Sequence, residues 1–189
     1  MAKSRKLPEV LTDAEIAAVL SQFNHRSPTS WRNQCMIRVA LATGMRIGEL
    51  TALRWEDLTL EGGAAWKVFI HDGKGHKDRI LWMRPDLVAE LGEMAAKMGR
   101  DRNGLIFTTL DGGPLDTGYL RRTLKAKGVK AGVPRLHAHL LRHTALTKLY
   151  ARTKDLRLVQ EVAGHANVQT STIYTHLSGA GIRSALLAD

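Results

Sequence analysis

The chain has one cysteine, five scattered prolines and no apolar run of bilayer-spanning length in its 189 residues. Each shortage removes a class of protein. A lone Cys35 excludes an internal disulfide and any zinc site built on paired thiolates. Its apolar neighbours in "NQCMIRVALA" mark it as a buried structural thiol rather than a nucleophile. Without a long apolar run there is no candidate membrane span, and the opening "MAKSRKLPEV" lacks the apolar core of a secretory signal. The expected location is therefore cytoplasmic. No repeat, low-complexity tract or proline-rich linker divides the sequence, so one compact unit is expected. Acidic residues are also scarce: 18 Asp plus Glu face 28 Lys plus Arg, a formal charge of +10 with a sequence pI near 10.1. Such an excess favours a polyanionic partner, nucleic acid first, over a small neutral substrate. Clustered carboxylates, which a metal-dependent nuclease would need, are missing.

What is present reads mainly as helix. In "LTDAEIAAVL", Thr12 with Glu15 has the form of a capping box, and Ile16, Val19, Leu20 and Phe23 share one face. The residues before it, with Lys3, Arg5 and Lys6, form an expected exposed basic arm over 1–11. A second helix is expected from about Ser30 to Gly44, and "MRIGELTALRW" starts a third with Arg46 directly after the glycine turn. "WKVFIHDGKGHKDRILWM" reads as a β-hairpin with Lys74 near its tip. Helix resumes after "RPDL" through about Met98, with further helices near 117–130, 138–151, 155–163 and 168–177. The expected fold class is mainly α with a small antiparallel β-sheet (α+β).

The stretch "HAHLLRHT" places His139, Arg142 and His143 within one helical turn. Two histidines four apart can bind zinc, but the glutamate usual between them is absent, Leu140 and Leu141 fill the gap, and Arg142 would repel a dication. No metal is expected. Taken singly, Arg46, Lys74, His165 after Gly164 and Tyr174 each have a bland surface or packing explanation. Together they form a chemical kit. Two guanidiniums can grip the oxygens of one phosphate, imidazoles can move protons, an ammonium can protonate a leaving oxygen, and a phenol can act as nucleophile.

The blocks "ATGMRIGELTALRWEDL", "GKGHKDR", "HAHLLRHT" and "AGHANVQTSTIYTH" resemble, in order and spacing, the four signature blocks of the tyrosine recombinase (phage integrase) family. The similarity runs from about Leu11 to His176. It implies the tyrosine recombinase catalytic-domain fold, with Arg46 and Arg142 as phosphate-clamping arginines, Lys74 as the hairpin lysine, His139 and His165 as the two histidines, and Tyr174 as the nucleophile. Lys77 is a second lysine of the hairpin block, Glu49 is read as orienting Arg46 or its helix, and His143 as structural or supporting. Tyr119 and Tyr150 fall outside the blocks and are read as packing residues.

By the same resemblance the chemistry needs no metal, cofactor or ATP. The partners are double-stranded DNA and further copies of the chain in a tetramer on DNA, with nucleoid association when DNA is bound; accessory DNA-bending proteins are a further candidate that the sequence leaves open. The resemblance also implies a single catalytic domain over 1–189, beginning where an N-terminal core-binding domain would end, with a C-terminal tail over 178–189. In that tail Ile182, Leu186 and Leu187 share helical spacing and could dock on a neighbouring protomer or fold back on their own domain. The competing readings are a DNA-binding regulator without catalysis and a type IB topoisomerase that relaxes supercoils.

Overall fold

The structure is a computed structural model that describes residues 10–71, 78–164 and 186–187. Helix α1 (Asp13–Leu20) opens with the expected capping box: Thr12 Oγ1 accepts from the Glu15 amide at 3.2 Å, and Glu15 Oε2 accepts from the Thr12 amide at 2.9 Å. Helix α2 (Pro28–Thr43) starts ahead of the expected Ser30, because the Ser27 hydroxyl caps it and Pro28 occupies a first-turn position that needs no amide donor. Helix α3 (Ile47–Ala52) and a single 3-10 turn (Trp55–Asp57) lead into the sheet.

Three antiparallel strands follow in sequence order: β1 (Leu58–Glu61), β2 (Ala65–Ile70) and β3 (Arg79–Met83). Strands β2 and β3 are the expected hairpin, with Trp66 opposite Met83 and Ile70 opposite Arg79. Strand β1, a four-residue piece with Leu58 opposite Val68, was not expected from the sequence. Among the described residues the further helices are α4 (Pro85–Lys97), α5 (Thr117–Lys130), α6 (Ala138–Thr153) and α7 (Leu156–Ala163). They match the expected positions, except that the expected helix over 168–177 lies outside the described residues.

Helix α2 runs through the core and packs against α4, α6 and β3, while α7 packs on α6 and β3. Cys35, Met36 and Val39 on α2 are fully buried, as are Val68, Leu81 and Leu91. The buried thiol of Cys35 is the inert core group its neighbours suggested. Leu11, placed by sequence at the end of an exposed arm, is instead buried, with its amide donating to the Thr144 hydroxyl at 2.9 Å. A leucine side chain gains by leaving water, and the basic residues that define the arm, Lys3, Arg5 and Lys6, lie five or more positions before it. At the other end, Leu186 is buried in a cleft with Leu20, Leu41, Trp82, Met83 and Leu87 of its own domain. Among the described residues no helix is long and apolar enough to cross a membrane.

Candidate active site

The site begins where α2 stops. Gly44 adopts a left-handed conformation (φ 69°) that closes the helix, and a Cβ added there would also meet the Leu146 side chain at 3.2 Å. Both constraints favour glycine. Two residues later Arg46 caps α3, its amide donating to Glu49 Oε2 at 2.7 Å. Its guanidinium folds over the same carboxylate, with Nη1 donating to Glu49 Oε1 at 2.8 Å. The expected orienting role of Glu49 thus has a geometric form.

Glu49 has a second guanidinium. Arg79, the first residue of β3, donates through Nη1 to Oε1 at 2.9 Å and through Nη2 to Oε2 at 2.7 Å. Both side chains are nearly buried, at 6% exposed for Arg79 and 9% for Glu49. Burial pushes the Glu49 carboxyl up, but the Arg79 hydrogen bonds, the Arg46 amide and the Arg79 charge together hold it below the usual glutamate value.

Arg142 comes from α6 and is itself buried. The three histidines of "HAHLLRHT" separate here. His137 is the N-cap of α6, its Nδ1 accepting from the Leu140 amide at 3.1 Å. His139, on the first turn, is exposed, and His143 is half-buried one turn on. Among the described residues no three His, Cys, Asp or Glu side chains gather as a metal-binding group.

Three guanidiniums meet at the C-terminal end of α7. Arg79 Nε donates to the Val162 carbonyl at 3.0 Å, Arg142 Nη2 donates to the Ala163 carbonyl, and Arg46 Nη2 donates to the Gly164 carbonyl at 2.7 Å. The last carbonyls of a helix lack intrahelical donors and carry the negative end of its dipole, so they attract cations. Arg142 Nη1 also donates to the Gly44 carbonyl at 2.8 Å, which ties α6 to the turn that presents Arg46.

Arg46, His139 and Arg142 line one open cavity of about 480 Å³, together with Glu49, His71 and Arg121. The structure therefore brings together three of the six expected residues. Lys74, His165 and Tyr174 lie outside the described residues, as does Lys77. Tyr119 has the expected packing role, its hydroxyl accepting from Arg32 and Asn33 at 2.9 Å each. Tyr150 does not: it is exposed, because the α6 face that carries it turns to solvent. Sequence reasoning missed Arg79, Arg121 and His71. Arg79 stands inside the quoted "GKGHKDR" block, but nothing local connects it to Glu49 thirty residues earlier.

A mostly helical domain with a small antiparallel sheet and an arginine-lined cleft at a glycine turn has the architecture of a tyrosine recombinase catalytic domain. The profile of the phage integrase family matches residues 9–180. The chain belongs to that family. It is 34% identical over 174 residues to tyrosine recombinase XerC of Xanthomonas axonopodis pv. citri, covering 92% of this chain and 55% of that protein. It is 34% identical over 185 residues to tyrosine recombinase XerD of Staphylococcus saprophyticus, covering 95% and 61%. Among solved structures, XerH recombinase bound to its difH substrate superposes with a TM-score of 0.74 at 33% identity, over 93% of this chain and 52% of that one. A lambda integrase dimer bound to a COC′ core site shares the fold, with a TM-score of 0.63 at 20% identity. The chain thus spans from 48% to 61% of the length of each of these proteins.

Proposed function

We propose that this chain carries the catalytic activity of a site-specific DNA recombinase that cuts and rejoins duplex DNA through a covalent 3′-phosphotyrosyl intermediate. The observation that carries the reading is the convergence of Arg46, Arg142 and His139 on one cationic cavity. Fixed donors aimed at developing charge are commonly worth ~10² to 10³ in rate each.

In this mechanism the Tyr174 phenol oxygen attacks the scissile phosphorus. A new P–O(Tyr) bond forms and the bond to the 5′-oxygen breaks. Arg46 and Arg142 stabilise charge on the non-bridging oxygens, and His165 adds a hydrogen bond to the same phosphate. Lys74 delivers a proton to the departing 5′-oxygen, while His139 takes the phenol proton. The phosphotyrosyl ester keeps the bond energy, so a second strand's 5′-hydroxyl can reverse the step, and the outcome is strand exchange. Duplex DNA is the substrate, and the chain works as a tetramer on it with accessory DNA-bending proteins, in the cytoplasm on the nucleoid. The biological outcome is integration, excision, inversion or resolution according to the paired sites. Support for DNA and self-association comes from similar proteins: XerH was captured on difH and lambda integrase as a tetramer on a Holliday junction.

The test is a pool of nicked suicide duplexes with randomised cores, incubated in EDTA. The expected result is a denaturation-resistant protein–DNA adduct that Tyr174→Phe abolishes. A salt-sensitive mobility shift without adduct would identify a binding regulator, and relaxation of a supercoiled plasmid without strand exchange a topoisomerase. Either result overturns the proposal.

A further inference from the structure

Glu49 receives four hydrogen bonds from two arginines. Arg79 supplies two through its fork, and Arg46 supplies one from its guanidinium and one from its amide. The two arginines differ in freedom. Arg46 is one-third exposed and lines the cavity, whereas the Arg79 side chain is 6% exposed. Arg79 is also pinned at its Nε by Val162 and lies so close under Gly164 that a Cβ there would meet its Nη1 at 3.0 Å. Gly164 has φ 59°, so glycine suits this position on two counts.

A guanidinium that grips a phosphate must turn from its resting acceptors. For Arg46 those include Glu49 and the Gly164 carbonyl. Leaving a nearly buried carboxylate short of donors is expensive. Here it need not be short. When the Arg46 side chain leaves, Glu49 keeps both Arg79 bonds and the Arg46 amide, and its charge stays balanced in place.

We infer that Arg79 is a positioning residue that serves as the standing counter-ion of Glu49, so that the Arg46 guanidinium can be released to the scissile phosphate. This rests on the strand-transfer reading above. It assigns Arg79 no contact with the reacting atoms. Without Arg79, Glu49 pulls harder on Arg46 and competes with the phosphate for it. Removing the Glu49 charge as well ends the competition. A residue that merely packed the core would behave differently, since a second buried deletion would only add to the first.

The experiment compares the wild type with Arg79→Met, Glu49→Gln and the double variant, using the duplex pool described above. The first readout is the single-turnover rate of adduct formation. Arg79→Met is expected to lose about 10- to 100-fold, the scale at which outer partners of preorganised metal sites act, and the double variant to recover most of it. The second readout needs no chemistry: the salt dependence of duplex binding by anisotropy. The slope of log K against log salt should fall by about one phosphate contact in Arg79→Met and return in the double variant.

If the wild type forms no adduct, the recombinase reading fails, and the binding slopes still decide this inference. Wild-type behaviour of Arg79→Met, or a double variant no better than the single one, overturns it. Should Arg79→Met fail to fold, Arg79→Lys, which keeps the charge, is measured in the same way. An unchanged slope with under about threefold loss of rate supports the role, and a lost contact in the slope overturns it.

Discussion

Arg32 on α2 and Arg79 on β3 are both buried arginines, but Arg32 is bonded to neutral oxygens and Arg79 to a carboxylate. Arg32 reaches the Thr108 carbonyl at 2.6 Å, Asn33 Oδ1 at 2.9 Å and the Tyr119 hydroxyl at 2.9 Å. Burial pulls its pKa below the usual arginine value, with Tyr119 opposing. Asn33 also donates to the Tyr119 hydroxyl at 2.9 Å, so the network closes on itself and staples α2 to α5 and to the 101–116 segment. In the cleft, by contrast, Arg46 lies on the open side and its acceptors can be exchanged for a phosphate. The lesson is that a buried cation's job can be read from whether its partners are replaceable from solvent.

The largest effect should come from the open network. Arg142→Lys keeps the charge but loses the fork, and adduct formation should drop about 10² to 10³-fold. A drop under tenfold in the suicide-substrate assay would mean that point charge alone suffices, and the contrast with Arg32 would lose its force. Next in size is the closed network. Arg32→Met leaves Tyr119, Asn33 and the Thr108 carbonyl short of partners and should cost about 2–3 kcal/mol in urea unfolding. The salt slope of DNA binding should stay unchanged. A changed slope would show that Arg32 reaches the substrate after all.

The smallest effect is a pH dependence. Glu49 is held below its ordinary value of 4.5. A depressed carboxylate contributes stability that is present above the unfolded value and lost as pH falls through the folded one. Urea midpoints measured from pH 7 down to pH 3 should therefore fall less steeply below about 4.5 in Glu49→Gln than in the wild type. Parallel curves would mean that the Arg79 bonds do not favour the ionised form.

The features legible in the sequence were those written locally. The Thr12–Glu15 capping box, the Gly44 stop and the hairpin strands β2 and β3 each follow from residues a few positions apart. Strand β1 escaped notice because "LTLE" has only two apolar residues and gains its identity from pairing with β2. The same divide runs through the site. Arg46, His139 and Arg142 stood in recognisable blocks, whereas the part played by Arg79 depends on Glu49 and Val162, contacts 30 and 83 residues away. His137 looked like one more member of a histidine cluster, and only the start of α6 reveals it as a cap. Tyr150 was read as packing only because it lies outside the four blocks, and its mixed neighbours in "TKLYART" carry no signal for which face of α6 meets water.

The seat at the end of α7 has a consequence for how the domain is assembled. Three arginines from three separate elements read three consecutive carbonyls, Val162, Ala163 and Gly164, so they index the helix in register like teeth on a rack. A slip of α7 by one residue would unseat all of them at once. Gly164 is therefore a point fixed in part by Arg46 and Arg142, the same side chains that line the cavity.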